Sequence, residues 1–84
     1  MLAEETQVHR HARVTRAVHQ EGGKIVLQSL HTGRYGLHRE LVAPSALRAP
    51  INRYKPRALS DAEVEGQIQD YVRCARLARR AGYD

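Results

Sequence analysis

From residue 3 to residue 21 the apolar positions recur with the period of a helix. Val14, Ala17 and Val18 stand at i, i+3 and i+4, and Val8 with Ala12 extends the same side. Arg10, Arg13 and Arg16 return every third residue and drift around the polar face. The pattern predicts a helix over roughly Ala3 to Glu21. Gly22-Gly23 stops it, because glycine accepts the left-handed conformation that ends many helices. Met1 and Leu2 precede it directly and no capping signature is evident, so the sequence reads as entering a helix already under way.

The pattern then changes period. Lys24 to His31 sets Ile25, Leu27 and Ser29 on one side and Val26, Gln28 and Leu30 on the other. Both sides are largely apolar, which predicts a strand covered on two faces, as in a parallel sheet. Gln28 is the exception. A buried amide without a partner costs on the order of 1–3 kcal/mol, so Gln28 faces either water or something polar.

Residues 32–59 show no regular period. Three prolines (Pro44, Pro50, Pro56) with Gly33 and Gly36 interrupt them, and Leu41 to Ala43 is at most a brief extended piece. Structureless loops beyond about 12–15 residues are uncommon in compact domains and are usually functional or disordered. The recurring Leu41, Val42, Leu47, Ile51 and Leu59 favour an ordered loop packed on a larger body. Ser60 with Glu63 then forms a capping box, and Val64, Ile68, Tyr71, Val72, Ala75 and Ala78 mark one apolar face of a second helix. Arg73, Arg76, Arg79 and Arg80 sit at the negative end of its dipole, and Gly82 stops it.

Helix, strand, long loop and helix make an α/β segment that is incomplete on its own. A strand apolar on both faces must pair along its edges, yet no second strand of equal quality is present. The expectation is that its neighbours were lost by truncation, Gly82-Tyr83-Asp84 being the turn that leads into the next parallel strand. An obligate partner supplying the missing strands is the alternative.

Composition narrows the possibilities. Eighty-four residues with four tyrosines and no Phe or Trp give few large side chains for a self-sufficient core. The single Cys74 permits no internal disulfide and no thiolate zinc site of the finger type, and it fits a reducing, cytoplasmic setting. On a helix beside Arg73 and Arg76 this thiol could be activated, but a small buried residue is the simpler reading. No apolar stretch reaches the roughly 18 residues of a membrane span, and no signal peptide is visible. His9, His11 and His19 lack the i, i+4 spacing of a helical metal pair, so no metal site is expected. The formal charge of +5 is carried by basic residues spread over the chain, which favours a solvated surface.

HQEGGKIVLQSLHTGRY (19–35), LVAPSALRAPINRYKPRALS (41–60) and ARLARRAGYD (75–84) together resemble a stretch of the NADH:flavin oxidoreductase family, which includes old yellow enzyme. Within that family the resemblance runs to the bacterial NADPH-dependent 2,4-dienoyl-CoA reductases. The resemblance implies that residues 1–84 are part of an N-terminal FMN-binding (β/α)8 barrel, about its second helix, third strand, following loop and third helix. It places Gln28, in the Q-x-x-H-x-G-R stretch, on the pyrimidine edge of FMN, where an amide can match alternating N–H and C=O groups. His31 and Arg34, just past the strand, would line the flavin pocket or substrate mouth, although a loop histidine is also an ordinary local hydrogen-bonding residue. Gly33 would permit a tight turn.

No catalytic residue is implied within the chain, because the family's catalytic tyrosine follows the AGYD-like turn. The 4Fe-4S cluster and the FAD/NADPH domain of the dienoyl-CoA reductases would lie elsewhere in the parent. That parent would pass a hydride from NADPH to FMN and on to an enoyl-CoA type substrate in unsaturated fatty acid oxidation. The segment alone should be inactive. The basic loop residues Arg34, Arg39, Arg48, Arg53, Lys55 and Arg57 would form a rim attracting the phosphates of such substrates.

Two other readings use the same residues. A small basic helical module could dock on nucleic acid, but it lacks a recognition-helix motif and any aromatic–basic interleaving, so neither nucleic acid nor membrane is the expected partner. A structural subunit completing another protein's barrel would show itself by flavin binding only on mixing.

Overall fold

The structure is a computed structural model and describes residues 2–84. In chain order it contains α1 (Glu5–Gln20), one 3-10 turn (Gly33–Tyr35), β1 (Val42–Ala43), β2 (Arg57–Ala58) and α2 (Asp61–Arg80).

Both helices are bounded by local chemistry. Contrary to the sequence reading, α1 does have a capped start. The Gln7 side-chain oxygen accepts the free backbone N–H groups of Ala3 and Glu4, each at 3.0 Å. At its far end Gly22 takes φ +78°, its N–H reaches the His19 carbonyl, and Gly23 N–H reaches Val18. These two bonds satisfy carbonyls that the helix leaves open. In α2 the capping box forms as expected: Ser60 Oγ accepts from Glu63 N–H at 3.2 Å, and Glu63 accepts from Ser60 N–H at 3.1 Å. Gly82, at φ +95°, closes α2 with the same pair of bonds, Gly82 N–H to Arg79 and Tyr83 N–H to Ala78. No helix among the described residues is long and apolar enough to cross a membrane.

The chain divides into two compact units, one made of the residues up to Leu30 together with Gln69–Asp84, the other of His31–Ile68. In the first, Leu2, Val8, Cys74, Leu77 and Ala81 form the core, with Leu27, Ala78 and Tyr83 packed against it. Cys74 is buried, as its small size suggested. Of the apolar face expected on α2, only Ala78 packs against this core. Val64, Ile68, Tyr71 and Val72 are 38–48% exposed, whereas Cys74, Leu77 and Ala81 are covered. The helix carries two apolar arcs, and this chain fills only the second.

Polar contacts tie the same unit together. Thr15, 3% exposed, donates its hydroxyl to the Ala81 carbonyl at 2.6 Å. His11 Nδ1 lies 2.6 Å from the Tyr83 hydroxyl, with the two rings edge to face. His19 Nε2 lies 2.7 Å from an Asp84 carboxylate oxygen.

Residues 24–31 behave as an element whose neighbouring strands this chain does not supply. They form no strand ladder among the described residues; their backbone pairing is with Asp84, at Ile25 alone. A ladder needs a neighbour along its length, and here a neighbour is present only at the first step. The two-residue alternation nevertheless persists: Ile25, Leu27 and Ser29 are half-buried, while Val26, Gln28 and Leu30 are exposed.

In the second unit β1 and β2 pair in parallel, Val42 opposite Arg57 and Ala43 opposite Ala58. The brief extended piece expected at 41–43 is β1. The two-residue β2 was not anticipated, since Pro56 and two flanking basic residues carry no strand signal. Leu41, Ala43 and Ala49 are buried around it. The loop is ordered, as predicted, and buried Asn52 is its organiser. Its amide donates to the carbonyls of Arg34 and Gly36, each at 2.7 Å, and its oxygen accepts from Arg53 N–H at 2.8 Å.

Candidate functional site

The alternation along 24–31 decides where Gln28 points. Leu27 packs against the helical core, so the side chains of its parity face the helices. Val26, Gln28 and Leu30 are the exposed members of the alternation, Val26 at 76% and Leu30 at 62%. Gln28 thus stands between two uncovered apolar side chains, its amide free to donate and accept. This resolves the sequence puzzle: the face bearing the amide is the one that the helices of this chain do not cover.

His31 and Arg34 belong to the second unit, and Gln28 to the first. His31 is half-buried and its Nδ1 accepts from Gly33 N–H at 3.0 Å. Gly33 adopts φ +55°, the tight turn expected of it. Arg34 is held at both ends: its guanidinium donates to Ser45 Oγ at 3.0 Å and its carbonyl receives the Asn52 amide. Asn52 is the positioning residue that sequence reasoning passed over. Its signal was an asparagine two residues after Pro50, a residue type whose amide often bonds nearby backbone.

Two carboxylates are shifted. The Arg57 guanidinium and the Ser60 N–H hold Glu63 down at about 2. The His19 ring and the Ile25 N–H lower Asp84. Both shifts have structural causes, one at a helix cap and one at the junction of residues 25 and 84.

Comparison with known proteins supplies the remaining context. Residues 1–84 match the NADH:flavin oxidoreductase / NADH oxidase family over their whole length. NADH:fumarate oxidoreductase of Klebsiella pneumoniae is 41% identical over 81 residues, covering 87% of this chain and 8% of that protein. NADPH dehydrogenase of Bacillus subtilis is 32% identical over 74 residues, covering 87% of this chain and 22% of that protein. Morphinone reductase, solved in complex with tetrahydroNAD, matches with a TM-score of 0.89 at 33% identity, over 96% of this chain and 28% of that one. The chain therefore spans well under a third of the length of these relatives. Morphinone reductase is a (β/α)8 barrel, so the α1, 24–31, loop and α2 succession is a run of such a barrel. A family match along all 84 residues and a matching backbone agree: the chain belongs to the NADH:flavin oxidoreductase / NADH oxidase family.

Proposed function

We propose that this chain supplies part of an FMN-binding (β/α)8 barrel, and that Gln28 holds the pyrimidine edge of the flavin. One observation carries the reading: Gln28 is an exposed member of the alternation in which Leu27 packs on the helical core. In a barrel of this kind the side away from the helices is the interior, and active sites assemble at the carboxyl ends of the strands. Gln28 lies toward that end. An amide with an adjacent donor and acceptor fits a ring edge of alternating N–H and C=O groups. The family resemblance adds His31 and Arg34, just past this stretch in sequence, as residues that would line the flavin pocket or substrate mouth.

When bound, FMN supplies the hydride-transfer chemistry. The residues of this chain bind and orient it; none of them is assigned a proton-transfer role. For the whole protein we favour an NAD(P)H-dependent, cytoplasmic reductase of conjugated carbon–carbon double bonds. The finer reading is a 2,4-dienoyl-CoA reductase with its 4Fe-4S cluster and FAD outside this chain. The sequence resemblance supports that reading.

A chimera tests the site. Residues 2–84 replace the matched segment of the Bacillus subtilis NADPH dehydrogenase, and FMN binding is followed by flavin fluorescence. The chimera should retain FMN, and Gln28→Leu should weaken it by about tenfold, the worth of one or two hydrogen bonds. Unchanged affinity would overturn the assignment. The substrate reading is checked separately in the whole protein, where 2,4-dienoyl-CoA must stimulate NADPH oxidation.

A further inference from the structure

The net charge of the chain has an address. Residues 31–59 hold six basic residues and one acidic residue, Glu40, while the remainder holds eight of each sign. The entire formal excess of +5 therefore lies in this one loop. The even spread of basic residues read from the sequence concealed a complete segregation of net charge.

The structure also separates these six cations. Arg34 donates to Ser45. Arg48 donates to the carbonyl of Asn52. Arg53 lies over the Tyr54 ring, 5.8 Å from its centroid. Arg57 makes a two-pronged pair with Glu63, at 2.9 and 2.7 Å. Arg39 and Lys55 make no ion pair and no hydrogen bond among the described residues. Both line one groove of about 470 Å³, whose other walls are Glu40, Leu41, Val42 and Arg57. The parallel register that sets Val42 against Arg57 brings the two segments entering the ladder side by side, and Arg39 and Lys55 line the groove there.

We infer that the groove between residues 39–42 and 55–57 binds a phosphate or pyrophosphate group, with Arg39 and Lys55 as its ligands. Guanidinium and ammonium groups are complementary to phosphate oxygens, and neither has to be released from an internal partner first. Arg57, already neutralised by Glu63, shapes the wall and contributes little net attraction. Glu40 opposes an anion and sets a limit on affinity. That the phosphate belongs to a nucleotide-bearing reductase substrate rests on the flavoenzyme reading above; the anion site itself does not.

Inorganic pyrophosphate is the probe, titrated at low salt into the 15N-labelled chain and followed by amide and side-chain shifts. Saturable shifts should centre on residues 39–42 and 55–57 and shrink as salt rises. Arg39→Gln with Lys55→Gln should weaken binding by about tenfold or more, Arg53→Gln should weaken it far less, and Glu40→Gln should tighten it. Shifts that never saturate, or that fall equally with Arg53→Gln, overturn the proposal. So does a short DNA duplex bound more tightly than pyrophosphate on the same residues, which would make the loop a nucleic-acid surface. Coenzyme A and NADP⁺, added separately, distinguish a thioester from a dinucleotide as the source of the phosphate. Because no flavin is present, loss of this site and loss of the Gln28 assignment are read independently.

Discussion

Asp84 engages Ile25 on both of its backbone groups. The Asp84 N–H donates to the Ile25 carbonyl at 2.8 Å, while the Asp84 carboxylate accepts the Ile25 N–H at 2.9 Å. A side chain thus stands in for a backbone acceptor and anchors residue 25 where its own chain provides no ladder. Asp84→Ala should expose the Ile25 amide to hydrogen exchange. Asp84→Asn, which keeps an acceptor oxygen, should protect it. Equal exchange in the two variants would show that the backbone bond alone fixes this residue.

The same carboxylate and Glu63 set the response to acid. Asp84 is lowered first by the His19 ring and then by the Ile25 N–H. Glu63 is lowered by Arg57 and the Ser60 amide, from 4.5 to about 2. A carboxylate with a lowered folded-state value favours folding while ionised. Its contribution is therefore complete above the ordinary carboxylate range and disappears as pH falls through the folded value. Stability measured by denaturation should decline for Glu63 between about pH 4.5 and 2. Glu63→Gln should flatten that decline; an identical slope in the variant would remove Glu63 from the account.

Thr15 and Gly82 make a second junction whose geometry leaves little room. The Thr15 hydroxyl donates to Ala81, and a Cβ on Gly82 would stand 2.9 Å from that same oxygen. Thr15→Val keeps the shape and leaves a buried carbonyl unpaired, at a cost of about 1–3 kcal/mol. Gly82→Ala adds left-handed strain, on the order of 1–2 kcal/mol, to the close contact. Thr15→Ser should be tolerated. The melting temperatures of the three variants give the ordering.

How much of this was legible in the sequence depended on where each determinant lies. The α2 start needed only Ser60 and Glu63, three residues apart, and both helix ends needed only a glycine, so local pattern sufficed. The α1 start was missed because Gln7 does the capping where a serine or threonine is the usual signal. The buried face of α2 was read only in part, Ala78 being its one member that packs on the core, and for a different reason. Val64 and Ile68 are as apolar as Leu77, and periodicity marks both arcs without saying which one this chain covers. For Gln28 the sequence supplied the residue and its parity, but only the packing of Leu27 on the core showed which parity faces away from the helices. The organising role of Asn52 rests on carbonyls 16 and 18 residues away, which local pattern does not reach. For Arg39 and Lys55 the sequence showed a basic rim, and only the pairing of β1 with β2 singles them out as walls of one groove.

The two faces of residues 24–31 should also separate in their energetics. Leu27 packs on the core, so Leu27→Ala should lower stability by on the order of 1–2 kcal/mol, below the range for a fully buried leucine. Gln28 is exposed, and Gln28→Leu should change the stability of the chain by no more than about 0.5 kcal/mol. In the chimeric barrel the same variant behaves differently. There position 28 meets the interior, and a leucine is at least as favourable as an unpartnered amide, so the apo form should melt no lower than its parent. A ligand raises stability in proportion to RT ln(1 + [L]/Kd), and the rise in melting temperature on adding FMN should therefore shrink in Gln28→Leu. Calorimetry with and without FMN separates the two quantities. A variant that loses apo stability while keeping the full FMN increment would identify Gln28 as a packing residue and not a flavin ligand.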